Sequence, residues 1–322
     1  MGKLSIVIPS YNEEKMIHSI SDIISSLLES NNIPYEILFV NDGSKDKTWE
    51  KILQACNKNS NVKGFNFSRN FGKEAAIFAG LTYSSGDCCA VIDCDLQHPP
   101  EILLKMYQKW QEGYDVVEGI KASRGRESFL HKVAANHFYS LISSAAKVDM
   151  SRASDFKLLD RKAVDILRSM PEKHIFFRAL SSWVGFKTTS VEFHVQEREA
   201  GDSKWSTSSL IKYAITNITS FSTAPMQIVT LTGIVFLIFS IILGIQSLYM
   251  NFTGRSLEGF TTVILLLLII GSVIMLSLGI IGYYISKIYE ETQNRPRFIV
   301  SEHENYKKEN CDKGTYLYEK SF

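Results

Sequence analysis

An apolar run ends abruptly in two carboxylates in the stretch Val91-Ile92-Asp93-Cys94-Asp95-Leu96-Gln97-His98-Pro99-Pro100. Cys88 to Ile92 predicts a buried strand, because short apolar runs with β-branched residues suit strands that are covered on both faces. The carboxylates then lie at the carboxyl end of that strand, where open α/β sheets bind their ligands. Oxygens from Asp93, Asp95 and the Gln97 amide suit Mg²⁺ or Mn²⁺ bridged to phosphates. The alternative, which the tripeptide alone favours, is that Asp-x-Asp forms only a polar turn.

Strand-like and helical segments alternate through the first half of the chain. The predicted strands are Leu4 to Pro9, Tyr35 to Val40, Val62 to Ser68 and Cys88 to Asp93. Helical periodicity separates them at about 14 to 30, 47 to 57 and 72 to 84. This alternation predicts an α/β fold with a mainly parallel, doubly wound sheet, whose strand ends collect on one edge. Val116 and Val117 indicate a further strand.

Polar loops follow three of these strands and should converge on one crevice. They are Pro9 to Glu13, Asn41 to Ser44 and the Asp93 segment. Asp42 stands directly after a strand, so its carboxylate could accept hydrogen bonds from a nucleobase or ribose, while Ser44 could cap the next helix. An isolated Asn-Asp-Gly is more often only a turn, and that alternative stays open.

Two long segments without any Asp, Glu, Lys, Arg or His follow the first 205 residues: Ile228 to Met250 and Phe260 to Ser286. At ~1.5 Å per residue each would be longer than a hydrocarbon core of roughly 30 Å, so both are predicted to be transmembrane helices. A buried soluble helix is the alternative. Cations flank the pair at Lys204, Lys212, Lys287, Arg295 and Arg297, whereas the connecting loop has only Arg255 and Glu258. The positive-inside rule therefore predicts that both flanks are cytoplasmic.

Bulk composition narrows the class of protein. The formal net charge of +1 argues against a dedicated nucleic-acid binder, which usually carries a basic excess. Five irregularly placed cysteines suit reduced thiols of the cytoplasm better than disulfides. From Ser206 to Pro225, apolar residues recur among Ser, Thr and Lys, which predicts an interfacial helix before the first span, with a core-facing helix as the alternative.

Seven segments together carry a family resemblance: Ile6 to Glu14, Val40 to Ser44, Ser68 to Ala76, Asp93 to Glu101, Ser154 to Leu159, Arg198 to Trp205 and Ile288 to Pro296. They resemble family 2 glycosyltransferases of the GT-A fold. The resemblance narrows to polyisoprenyl-phosphate glycosyltransferases of the bactoprenol glucosyltransferase and dolichol-phosphate mannose synthase type. One departure is Lys157, where many relatives have Arg; a lysine keeps the charge but not a bidentate phosphate contact.

The resemblance implies a role for each matching residue. Its nucleotide-sugar pocket comprises Pro9, Tyr11, Glu13, Asp42, Arg69, Lys73 and Asp93, although Arg69 and Lys73 could equally be surface charges. Its metal site, for Mg²⁺ or Mn²⁺, comprises Asp93, Asp95 and Gln97. Asp155 is the implied catalytic residue, as a base or as an orienting group. Arg198 and Lys204 match phosphate-binding residues, and Arg124, Arg126 and Lys132 fit the same role, with a solvated basic loop as the alternative.

The implied reaction moves one sugar from a nucleotide diphosphate sugar to a polyisoprenyl phosphate such as undecaprenyl phosphate, with inversion. UDP-glucose is the first expectation; UDP-N-acetylglucosamine, UDP-galactose, GDP-mannose with dolichyl phosphate, and an amino-arabinose donor remain alternatives. A processive polysaccharide synthase is disfavoured because no Gln-x-x-Arg-Trp segment is present.

The expected organisation follows from these readings. It comprises a cytoplasmic GT-A domain at 1–205, an interfacial helix at 206–226, a transmembrane hairpin at 227–288 and a cytoplasmic tail at 289–322, disordered after Val300. The enzyme should reside in the plasma membrane, and the resemblance also implies a homo-oligomer, expected to be a tetramer.

Overall fold

The computed structural model describes residues 2–121, 154–170, 177–194, 224–253, 259–293 and 295–306. The chain divides into two compact units. One comprises Met1–Leu210 together with Arg295–Phe322, and the other comprises Ile211–Asn294.

Within the described residues, the first unit contains an eight-stranded mixed sheet. Its strands are β1 (Leu4–Ser10), β2 (Tyr35–Asn41), β3 (Val62–Phe67), β4 (Cys88–Val91), β5 (Val116–Lys121), β6 (Lys157–Asp160), β7 (Thr188–Phe193) and β8 (Val300–Glu304). The strand order is β7-β5-β6-β4-β1-β2-β3-β8. Strands β1 to β4 run parallel to their neighbours among themselves, whereas β6 is antiparallel to β4 and β5, and β8 is antiparallel to β3. The predicted mainly parallel α/β sheet is therefore confirmed.

Helices cover this sheet as the alternation predicts. They are α1 (Ile17–Ser30), α2 (Thr48–Lys58), α3 (Lys73–Tyr83), α4 (Ile102–Gln111), α5 (Arg161–Ser169) and α6 (Phe177–Trp183). Apolar side chains of β1, such as Ile6 and Ile8, are fully buried in one core cluster with Ile20 and Ile24 of α1. The apolar residues of α1 recur at helical spacing, so they form one face that packs on the sheet.

The chain returns to the sheet after its last long helix, where the sequence predicted a disordered tail. Val300–Glu304 forms the edge strand β8, and Asn305 Nδ2 donates to the carbonyls of Cys56 and Val62 at 2.8 and 2.9 Å. The Trp49 indole also donates to Glu302 at 3.1 Å. A short polar edge strand has no continuous apolar run, so periodicity did not indicate it.

The second unit contains two long helices, α7 (Ala224–Phe252) and α8 (Phe260–Thr292), which contact each other. Many of their described apolar side chains are exposed, among them Leu231, Leu237, Met275 and Leu276. Ile269–Thr292 is one stretch that is long and apolar enough to cross a membrane, with a mean hydropathy of 1.9. Val229–Leu243 is a shorter apolar stretch. The predicted interfacial helix lies almost entirely outside the described residues.

A buried carboxylate at the amino-terminal ends of the parallel strands joins several elements. Glu36 of β2 is 1% exposed and accepts hydrogen bonds from Lys3 Nζ at 3.0 Å and Lys63 Nζ at 2.6 Å. It also accepts from Ser5 Oγ and from the Ser85 amide, both at 2.6 Å. Burial alone would raise the pKa of Glu36, but these partners lower it to about 2. The ionised form therefore stabilises the folded unit.

We predict that Glu36→Gln lowers the free energy of unfolding by about 3 kcal/mol at pH 7, because the substitution leaves buried donors without their anion. Since folding lowers the pKa from 4.5 to about 2, this stabilisation is complete above the upper value and is lost as the pH falls through the lower one. Denaturant unfolding in detergent between pH 7 and 2 measures both effects. The exposed Glu112→Gln is the control, and equal stability of the two variants would contradict the assignment.

Candidate active site

The sheet topology brings two aspartates from distant parts of the sequence to one edge. Strands β1, β2 and β4 are parallel, so their carboxyl ends share an edge, and Asp93 follows β4 there. Strand β6 runs antiparallel beside β4, with Val91 opposite Lys157. Asp155, which precedes β6, therefore lies at the same edge as Asp93.

Lys73 of α3 joins the two aspartates. Its Nζ lies 2.6 Å from Asp93 Oδ1 and 3.0 Å from Asp155 Oδ2. Arg178 of α6 holds Asp155 from the other side, with Nε 2.7 Å from Oδ1 and Nη2 2.8 Å from Oδ2. A bidentate guanidinium contact fixes both the position and the orientation of the carboxylate. The result is a chain of alternating charges from Asp93 to Arg178.

These contacts decide the ionisation of the carboxylates. Burial alone would raise the pKa of Asp155, but Lys73 and Arg178 lower it well below its usual range. Burial also raises the pKa of Asp93, but the charge and hydrogen bond of Lys73, with a contribution from His98, together lower it. Glu74 behaves in the opposite way, because burial and then the charge of Asp155 raise its pKa to about 7. Both aspartates are therefore anions across the physiological range.

The predicted nucleotide loop is held by backbone contacts. Asp42 is 3% exposed, and its carboxylate accepts from the amides of Phe71 at 2.7 Å and Gly72 at 3.0 Å. Burial raises the pKa of Asp42 above its usual value, although the two hydrogen bonds lower it in part. Gly43 has φ +63°, and a Cβ there would lie 2.5 Å from the backbone of Arg69, so only glycine allows the two loops to pack this closely.

The Asp-x-Asp segment forms a tight turn after β4. Asp95 Oδ1 accepts a hydrogen bond from the backbone N–H of Gln97 at 3.1 Å, and Leu96 between them has φ +54°. A left-handed backbone is unfavourable for a leucine and is often found at functional sites. The segment is therefore a turn, and this conformation is compatible with the hypothesis that it also binds a cation.

The chemistry of this donor set fits part of a divalent-cation shell. Asp93 and Asp95 offer the hard oxygens that Mg²⁺ and Mn²⁺ prefer. Asp93 already binds one positive charge, the Lys73 ammonium. Among the described residues, no group of three or more His, Cys, Asp or Glu side chains is arranged to hold a metal ion. Such cations commonly complete their shell with water and substrate phosphates, so two carboxylates suffice.

His98 links the two aspartate-bearing segments by packing. Its ring stacks on Phe156 at 4.8 Å between centroids and meets the edge of Phe193 at 5.3 Å. Its Nδ1 is buried without a hydrogen-bond partner in the described part of the chain. Burial lowers the pKa of His98, so the ring packs as a neutral aromatic group.

Lys157, which stands where many members of the resembled family have Arg, lies inside the fold. Its side chain is fully buried, with Nζ 2.6 Å from Glu118 Oε1 and 2.7 Å from Ser181 Oγ. It also donates to the Arg178 carbonyl at 3.3 Å. The last two contacts are with residues of α6, so Lys157 supports that helix.

The remaining predicted residues divide into two groups. Pro9, Tyr11 and Glu13 lie half-buried at the end of β1, and the exposed guanidinium of Arg69 lies 4.3 Å from the Phe71 ring centroid. Ser44 accepts from the Asn12 amide at 2.9 Å and does not cap α2, which begins only at Thr48. Five predicted phosphate ligands fall outside the described residues: Arg124, Arg126, Lys132, Arg198 and Lys204.

Sequence reasoning missed Arg178 and Glu74 as members of this site. Glu74 accepts from the Phe177 amide at 2.9 Å and so holds the start of α6. A signal for Arg178 was present, because it stands alone as a cation among the apolar residues Ile175 to Leu180. An arginine in such a segment usually has a buried anionic partner, which here is Asp155.

Comparisons with known proteins show the family to which the chain belongs. The family model described as glycosyl transferase family 2 matches residues 5–167. An uncharacterised glycosyltransferase of Bacillus subtilis is 40% identical over 302 residues, covering 92% of each chain. The prophage bactoprenol glucosyl transferase homolog of Escherichia coli K12 is 36% identical over 92% of this chain and 98% of its own. The bactoprenol glucosyl transferase of Shigella phage SfX is 35% identical with the same coverage.

A solved structure shows the fold independently. Glucosyl-3-phosphoglycerate synthase of Mycobacterium tuberculosis, in complex with UDP, superposes with a TM-score of 0.51 at 18% identity, over 68% of this chain and 79% of that one. The first unit is therefore a GT-A type sheet. The chain belongs to glycosyltransferase family 2, and it is a glycosyltransferase.

Proposed function

We propose that this enzyme transfers glucose from UDP-glucose to a polyisoprenyl phosphate. The observation that carries the proposal is the meeting of Asp93 and Asp155 through Lys73 at one edge of the sheet, an arrangement that supports a donor site next to an acceptor site. Relatives named bactoprenol glucosyl transferases, which match this chain over 92% of its length, support the sugar and the lipid.

The reaction forms a bond between the anomeric carbon and an oxygen of the lipid phosphate, while the bond from that carbon to the diphosphate breaks and UDP leaves. The second pKa of a phosphate monoester is about 6, so most of the acceptor is already a dianion at neutral pH. The protein must therefore position the nucleophile more than deprotonate it.

Asp155 suits an orienting role better than a basic one. Its carboxylate is bound by two cations that lower its pKa, which makes it a weak proton acceptor. It holds Lys73 and Arg178 in place, and these cations can attract the acceptor phosphate. Arg198 and Lys204, the phosphate ligands predicted by resemblance, would act with them.

Asp93 and Asp95, with the side-chain amide oxygen of Gln97, would hold Mg²⁺ or Mn²⁺. When bound, such a cation supplies positive charge to the departing diphosphate. Asp42 and the loop that it holds, with Pro9, Tyr11, Glu13 and Arg69, would form the nucleotide pocket.

Transfer is tested with purified full-length protein, undecaprenyl phosphate and a panel of radiolabelled donors. We expect labelled lipid from UDP-glucose in Mg²⁺ or Mn²⁺, and at least a 100-fold loss in excess EDTA or in Asp95→Asn, because cation stabilisation of a leaving group provides several kcal/mol. Glu112→Gln is the matched control. If only another donor labels the lipid, the sugar assigned here is wrong but the transfer to a polyisoprenyl phosphate stands. Full activity in EDTA would contradict the metal assignment.

We propose further that α7 and α8 cross the plasma membrane and that the catalytic unit is cytoplasmic. The spacing of charges supports this orientation: cations flank the helix pair, whereas the connecting loop at 251–259 has one cation and one anion. The pairing of β8 with β3 also supports this orientation, because the residues before and after the helix pair belong to the same unit.

Cysteine labelling in intact cells tests this topology. We expect Cys311 to resist a membrane-impermeant maleimide until the cells are permeabilised, because the tail follows β8. The other four cysteines are buried and should not interfere. Ser256→Cys in the connecting loop, combined with Cys311→Ser, is the positive control. Labelling of Cys311 from outside would contradict the orientation.

A further inference from the structure

Lys73 occupies the space between the two carboxylates that the proposed reaction uses. Its ammonium contacts Asp93 at 2.6 Å and Asp155 at 3.0 Å, so it neutralises part of both charges. We propose that Lys73 is a resident counter-ion that competes with the divalent cation for Asp93. It leaves Asp93 when the cation binds and keeps its contact with Asp155. The inference rests on the proposed function in one respect, the cation at Asp93.

The competition follows from the geometry at one carboxylate. A divalent cation binds carboxylate oxygen at about 2.1 Å. An ammonium that contacts the same carboxylate would then lie within a few ångströms of the cation, and like charges so close repel strongly in a partly buried site. Asp93 is only 29% exposed, so solvent screens this repulsion incompletely. Both cations cannot keep their full contact with Asp93.

Lys73 is the partner that can move. Its side chain is 43% exposed and has a flexible four-carbon stem, whereas the Asp155 side chain is 8% exposed and clamped by Arg178. Lys73 is the first residue of α3, so its side chain leaves the helix at an end where one turn of neighbouring side chains is absent. The ammonium can therefore turn away from Asp93 while Asp155 stays in place.

The exchange would couple the two halves of the site. Before the cation arrives, Asp93 and Asp155 are balanced by Lys73 and Arg178. Afterwards the Lys73 ammonium no longer shares its charge with Asp93, so more positive charge is available beside Asp155. That is where a phosphate acceptor has to bind. Cation binding on the donor side thereby prepares the acceptor side.

Mn²⁺ affinity, measured by electron paramagnetic resonance on full-length protein in detergent without nucleotide, tests the inference. Lys73→Met and Lys73→Gln should bind Mn²⁺ about tenfold more tightly than the parent, because a competing charge has been removed. Lys73→Arg keeps the charge and should bind like the parent. Lys58→Met, at a surface lysine that is 66% exposed, should have no effect, and Asp95→Asn should bind more weakly.

Equal or weaker Mn²⁺ binding in both neutral variants, with unchanged thermal unfolding, would overturn the inference while leaving the proposed function intact. A parent that binds no Mn²⁺, indistinguishable from Asp95→Asn, would instead remove the cation from the proposed function and this inference with it. A structure of the parent with Mn²⁺ gives a second test that needs no variant. Lys73 Nζ still in hydrogen-bond contact with either carboxylate oxygen of Asp93 would also overturn it.

Discussion

The antiparallel placement of β6 beside β4 is the constraint on which the site depends. In parallel strands the edge at their carboxyl ends receives only the residues that follow each strand, such as Asp93 after β4. Because β6 runs in the opposite direction, the residue that precedes it, Asp155, reaches the same edge. Two carboxylates brought together in this way would repel each other, and the Lys73 ammonium between them removes that cost.

A second layer of buried charges fixes the helix that carries Arg178. Glu74 accepts a hydrogen bond from the Phe177 amide at the start of α6. Lys157 donates to Ser181 and to the Arg178 carbonyl in the same helix. Lys157 is in turn neutralised by Glu118 on β5. Buried ion pairs often add little net stability, yet removing one partner is costly. Their effect here is positional, because they hold the guanidinium on Asp155.

Much of the fold could be predicted from the sequence, since β1 to β4 are short apolar runs and the helices between them have regular periodicity. The edge strand β8 could not, because its five residues, Val300–Glu304, are mostly polar. For the site, Asp93 and Asp95 were recognisable from an abrupt change of polarity after a strand. Arg178 was missed and the pairing of Lys157 with Glu118 was not predicted, because which buried charges face each other depends on the order of strands in the sheet, and the sequence pattern does not reveal that order.

The central claim is that the site positions an already ionised acceptor and that Asp155 holds cations without taking a proton. The most direct measurement is the pH dependence of kcat/KM for transfer to undecaprenyl phosphate and to its thiophosphate analogue, which has a lower second pKa. We predict one rising limb, with an apparent pKa of about 6 for the phosphate, that shifts downward with the analogue. Glu74→Gln should keep that shift, because the limb then belongs to the acceptor. A limb that stays at the same pH for both acceptors would belong to a group on the protein and would contradict the account.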